Sequence, residues 1–218
     1  VTQGEVTTYQ VRDLGELAAR LGSPITFDRR GDVVWWDDFE CGLAKWSTVA
    51  VGANASVALS TSRARNGRVS CNLNPGDAVN DVASITHSHP VPALSGIGLE
   101  MSVSLGEVNH QIDMQLTVRA EAARHRAWIR ILVNGSLQYR DAAGVYQTFA
   151  TFATTMNTLA THFHTFKLVY DAVARQYRRF RWNENEFNLS GIAPEILVPG
   201  VPSFQTRIEI IDTPLAGT

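Results

Sequence analysis

Apolar side chains return at every second position through most of this chain, and turn-forming residues interrupt them at short, regular intervals. Leu99, Met101, Val103 and Leu105 share one parity, while Glu100, Ser102 and Ser104 share the other. Met114, Leu116 and Val118 repeat the pattern, as do Phe166, Leu168 and Tyr170. A period of two sends successive side chains to opposite faces of a strand, so each run offers one face to a core and one to water. Between Trp128–Val133 and Leu137–Tyr139 stands Asn134-Gly135, which predicts a two-residue type I′ hairpin because both residues tolerate positive φ. Residues 121–126 read as a polar turn, Asp141–Gly144 as another, and 194–202 as a proline-spaced loop. The result is about twelve short strands without βαβ alternation. It predicts an all-β fold: a two-sheet antiparallel jelly-roll β-sandwich from about Trp35 to Asp212.

Ahead of that pattern the period changes. Val11, Leu14, Leu17, Ala18 and Leu21 recur at helical spacing, and Gly22 with Pro24 stops the run. Residues 1–32 are therefore expected to form an arm with one short amphipathic helix, and 33–218 the sandwich. So short a helix is unstable alone. Val11, Leu14, Leu17 and Leu21 are the expected contact with the sandwich, a second copy or another protein.

Hydrophobic residues make up 44% of the 218, enough for a large core, and the formal charge of −2 argues against wholesale binding to nucleic acid or an anionic membrane. No segment approaches the length of an apolar membrane span. Val1–Gln10 carries neither a basic start nor an apolar run, so the expectation is a chain kept in the cytoplasm or numbered after removal of a signal. Cys41 and Cys71 form no disulfide framework; they either pair or, as the preferred reading, stay as two buried thiols.

At residues 164–189 the run "HTFKLVYD…YRRFRWNENEFNL" resembles the antiparallel hairpin of the concanavalin A-like jelly rolls, which include legume lectins, laminin G-like domains and many carbohydrate-binding modules. "DDFECGLAKW" at 37–46 resembles the opening of several bacterial carbohydrate-binding modules, and "RIEIID" at 207–212 sits where such modules finish. The resemblance implies a sandwich across most of 33–212, and functions as varied as that superfamily hosts. The stretch "RLGSPITFDRRGDVVWWDDFE" at 20–40 is similar to uncharacterised proteins of thermophile-phage and metagenome type.

Candidate sites cluster around Val33–Trp46. Asp37, Asp38 and Glu40 are hard oxygen ligands, and in the modules resembled here an opening acid and a final-strand acid, here Asp212, share a structural calcium. The plain alternative is carboxylates that cap backbone amides. Trp35, Trp36 and Trp46 are candidates for sugar stacking. Adjacent Trp35 and Trp36 point to opposite faces if their strand is regular, whereas buried packing is the default for Trp46, Trp128 and Trp182. No catalytic set is read: the E-x-D-x-x-E of related glucanases is missing, and Asp113 has no partner carboxylate on its own strand. His87 with His89 and His162 with His164 are spaced to share strand faces, though a closed zinc site needs more ligands to converge. Regular alternation over Gln176–Trp182 splits the arginines between faces, which suits a half-buried strand better than a nucleic-acid surface.

The expected role is a non-catalytic structural or accessory protein of a phage particle, a capsid decoration or tail-associated protein that works as a homo-oligomer or with other virion proteins. The alternative is a carbohydrate-binding module, secreted, that recognises a glycan through exposed aromatics.

Overall fold

The computed structural model describes residues 33–65, 67–89, 96–106, 110–120, 123–132, 134–152, 162–198 and 203–213. The arm expected over residues 1–32, with Val11, Leu14, Leu17 and Leu21, lies outside them. Among the described residues the chain is all β: β1 (Ser47–Val51), β2 (Ser56–Ser60), β3 (Ser70–Asn74), β4 (Val82–His89), β5 (Gly96–Val103), β6 (His110–Ala120), β7 (Ala123–Ile131), β8 (Ser136–Arg140), β9 (Tyr146–Thr151), β10 (His164–Asp171), β11 (Gln176–Trp182), β12 (Asn185–Asn188), β13 (Glu195–Leu197) and β14 (Ser203–Asp212).

These strands make an antiparallel sandwich. The larger sheet has eight strands in the order β1-β4-β14-β6-β7-β8-β9, with β13 also paired to β7. The second sheet runs β12-β11-β10-β5, and β2 pairs with β3 as a separate hairpin. Arg63 donates to the Leu105 carbonyl at 2.9 Å and Arg65 to Thr165 at 3.0 Å, which ties that hairpin's far end to the second sheet.

The core sits where the alternation places it. Ile112, Met114 and Leu116 of β6 are fully buried beside Ile129, Ile131 and Leu137 of β7 and β8. Facing them are Ile97, Met101, Phe166, Leu168, Tyr170, Tyr177, Phe180 and Trp182 of the second sheet. Each such side chain contributes about 1.5–3 kcal/mol of gross burial free energy.

Five local expectations change. Val33–Trp36 joins no sheet, and the first strand is β1. All five residues of β1 are exposed, so this edge strand carries no alternation of buried and exposed positions for the sequence to display. Residues 123–126 belong to β7 and residues 195–197 form β13, where a turn and a loop were expected. At Asn134-Gly135 the turn is wider than a type I′ pair. Leu132 donates to the Ser136 carbonyl and Gly135 to the Leu132 carbonyl, and Gly135 takes the left-handed conformation (φ 83°).

The fifth change is a β-bulge. Val169 faces Arg179, yet the next residue, Tyr170, faces Tyr177, so Arg178 is the extra residue. Strict alternation would put Tyr177 on the face opposite Phe180 and Trp182. The bulge turns all three aromatics into the core and sends the arginines outward.

Candidate functional site

The outward face of the larger sheet is written in polar residues that pair in register. Reading across β4, β14, β6 and β7, one rung is Ser84, Glu209, Asp113 and Arg130. The next is Thr86, Arg207, Gln115 and Trp128, and the third Ser88, Gln205, Thr117 and Arg126, which continues to Glu195 on β13. Beyond it Arg119 faces Arg124, and Arg124 faces Leu197.

The first rung is a buried ion-pair floor. Asp113 is 0% exposed and receives Arg130 through Nε at 3.2 Å and a second guanidinium nitrogen at 3.1 Å. Gln111 Nε2 donates to both its oxygens at 3.1 Å. Burial pushes the Asp113 carboxyl above its ordinary range against the pull of Arg130. Glu209, hydrogen-bonded to Arg207, is also pushed up, first by burial and further by Asp113. The carboxylate pair sought on one strand is thus assembled across two, nearly a hundred residues apart in the chain.

Trp128 stands next to this floor with its ring already covered. The Arg126 guanidinium lies 4.4 Å and that of Arg140 4.6 Å from its ring centroid, and both arginines pair with Glu195. Arg130 covers Tyr146 in the same way at 3.7 Å. Each ring thus carries a guanidinium where a stacking ligand would sit.

Beside Trp128 the face opens into a shallow depression of ≈ 170 Å³. Thr86, Gln115, Thr117 and Gln205 supply hydroxyl and amide groups, Arg124, Arg126 and Arg207 supply cations, and Leu197 is the apolar edge. These residues were not singled out in the sequence. Their signal lay in the polar parity of β6 and β14, where Gln111, Asp113, Gln115, Gln205, Arg207 and Glu209 hold the positions facing away from the core.

The residues that were singled out lie elsewhere. Trp35 and Trp46 meet edge-to-face at 5.2 Å, and Trp35 stacks on His87 at 4.1 Å with His89 at 5.5 Å. Trp46 Nε1 donates to Asp37 at 2.8 Å, and His89 stacks on Phe204 at 4.7 Å. His87 and His89 therefore lie on β4, not at a corner, and close the core's edge. Burial, then the neighbouring His87, lowers the His89 pKa from 6.5 to about 4. Trp36 is 40% exposed, whereas Trp35 packs against Trp46 and His87. Trp128 and Trp182 are buried.

Asp38, Glu40 and Asp212 do not converge. Asp38 accepts the Glu40 amide at 3.1 Å, Glu40 accepts the amides of Arg68 and Val69, the latter at 2.8 Å, and Asp212 faces His110 at 3.5 Å. Among the described residues no three His, Cys, Asp or Glu side chains come together as a cation requires, so this set does not fit a calcium ion. Nor do the two histidine pairs join; His164 accepts the Trp182 indole N–H at 3.3 Å instead. Cys41 and Cys71 are both free, but Cys41 is exposed, contrary to the expectation of two buried thiols. Burial, followed by Asp37, pushes the Cys71 thiol up to about 11.

No protein-family model matches this chain, and no curated protein matches it. Among solved structures it is similar to the potassium-bound carbohydrate recognition domain of Emp46p, with a TM-score of 0.52 at 12% identity over 82% of this chain and 86% of that one. Weaker likenesses are to the Crh5 transglycosylase in complex with NAG (TM-score 0.43, 12% identity, 80% and 67% of the chains) and to the carbohydrate-binding module CBM66 from Bacillus subtilis (0.38, 12%, 78% and 92%). At such identities the likeness is one of fold alone: an antiparallel β-sandwich.

Proposed function

We propose that this chain is a carbohydrate-binding domain that receives a glycan on the outward face of its eight-stranded sheet. The observation that carries the reading is the open depression beside Trp128, lined by Thr86, Gln115, Thr117 and Gln205 on adjoining, in-register strands. Amide and hydroxyl groups held on rigid strands suit the alternating donors and acceptors of sugar hydroxyls. The fold likeness to the carbohydrate recognition domain of Emp46p supports the same reading.

Binding without turnover is the form proposed. Both oxygens of Asp113 are engaged by Arg130 and Gln111, which leaves this carboxylate poorly placed to attack or protonate a glycosidic bond. A role on a phage particle draws no support from the described residues or from the fold likenesses, and the carbohydrate-binding alternative takes precedence.

Trp36 supports a second location for the same activity, since it is the exposed member of the tryptophan pair. A glycan array with the full chain, followed by Gln115→Leu and Trp36→Ala, separates the two. Loss of binding with Gln115→Leu alone places the glycan on the sheet, and loss with Trp36→Ala alone moves it to the opening loop. No binding to any glycan sinks the proposal, and release of reducing ends sinks its non-catalytic part.

A further inference from the structure

Arg124, Arg126 and Arg207 line the depression without a carboxylate among the lining residues, and Arg119 stands next to it, opposite Arg124. Arg126 is held by Glu195, with nitrogen–oxygen distances of 2.7 and 2.5 Å, and Arg207 by Glu209. Arg119 and Arg124 have no such partner among the described residues. They face each other across β6 and β7, and Arg119 donates a 3.4 Å hydrogen bond to the amide oxygen of Gln205. Both have a buried Nε–H that meets no acceptor among the described residues.

Like charges directly opposite on antiparallel strands repel, and a sheet ordinarily avoids the arrangement. Here burial, then Arg119 and Arg126, make the protonated form of Arg124 harder to hold, and the opposing pull of Glu195 does not offset them. A bound anion between the two guanidiniums would remove the repulsion and satisfy their donors at once.

Resting on the carbohydrate-binding reading, we infer that the glycan is acidic, and that Arg124 and Arg119 clasp a carboxylate or sulfate group of the chain while Gln115, Thr117 and Gln205 take its hydroxyls. A nucleic acid fits this face less well. Its bases would need free aromatic faces, and the two rings here, Trp128 and Tyr146, are covered by Arg126, Arg140 and Arg130.

The test is affinity measurement on the full chain with polygalacturonate, methyl-esterified polygalacturonate, chondroitin sulfate, a neutral glucan and oligo-dT. The expected result is binding to polygalacturonate or chondroitin sulfate that weakens with salt, together with no binding to the esterified or neutral polymers. Arg124→Gln should weaken acidic-polymer binding roughly tenfold or more, the loss of one charge-assisted contact, with Arg124→Lys intermediate. Because Arg124→Gln relieves repulsion, it should melt no lower than the parent, so lost binding is not lost folding. Equal binding to neutral glucan, or no effect of Arg124→Gln, overturns the acidic specificity; loss with Gln115→Leu in that case still upholds carbohydrate binding on this face. Failure of every polysaccharide overturns both readings. Oligo-dT bound as tightly as the acidic glycans overturns the inference in favour of a phosphate-seeking surface.

Discussion

Tyr177 shows how one polar atom joins the two sheets. Its ring is fully buried, but its hydroxyl lies 2.8 Å from the Trp128 amide, 3.1 Å from the Trp128 carbonyl and 2.8 Å from the Arg140 carbonyl. This is where β7 changes partners: Ile129–Ile131 pair with β8, whereas Arg124–Arg126 pair with β13. The fork leaves backbone groups of β7 and β8 without strand partners, and the phenol supplies them. Burial raises the Tyr177 pKa despite these bonds, so the group stays a neutral donor and acceptor. Tyr177→Phe keeps the volume and strands a buried amide and a carbonyl, at a cost of about 1–3 kcal/mol. Urea denaturation measures it. A variant as stable as the parent would show that the fork needs no plug.

Among the elements, the opening loop is held to the β2–β3 hairpin by Glu40, whose carboxylate accepts the Arg68 and Val69 amides. Gly67 permits the approach: it takes φ 69°, and a Cβ there would strike the Glu40 carboxylate. Glu40→Ala should therefore cost about 1–2 kcal/mol, by the same amount in EDTA and in calcium. A cost that appears only in calcium would restore the metal reading of Asp38, Glu40 and Asp212. How far such elements can be read from sequence depends on where their information lies. Buried β6 announces itself, since Ile112, Met114, Leu116 and Val118 alternate without interruption. Arg178 does not: a bulge is one unpaired residue whose position is set by the partner strand, so period-two reasoning misassigned Tyr177. The pairing of Asp113 with Glu209, and of Arg119 with Arg124 across what read as a turn, needs strand register as well. The tryptophans, conspicuous in composition, turned out mostly to pack, while the candidate face is built from residue types that look ordinary one strand at a time.

At the scale of the whole molecule, two regions respond to pH with opposite sign. His89, stacked on Phe204 at the core's edge, has its pKa lowered from 6.5 to about 4. The unfolded chain then binds the proton more readily, so this histidine's contribution is present above pH 6.5 and is lost as pH falls toward 4. Asp113 and Glu209, on the opposite face of the sheet, have raised pKa values because burial disfavours their charges. Folded protein holds those protons more tightly, so their contribution is fully present in acid and declines as pH rises from the ordinary carboxylate range through the raised values. Melting curves of the parent, His89→Phe and Glu209→Gln across pH 4–8 separate the two. His89→Phe should gain on the parent as pH falls below 6.5, whereas Glu209→Gln should gain on it as pH rises above the usual glutamate range. Because the two side chains sit on opposite faces of one sheet and share no partner, the shifts should add in the double variant. Differences that stay flat with pH in both single variants would mean that water reaches the Glu209 floor and the His89 stack alike, and the outward face would then lack a dry ionic base under its polar rungs.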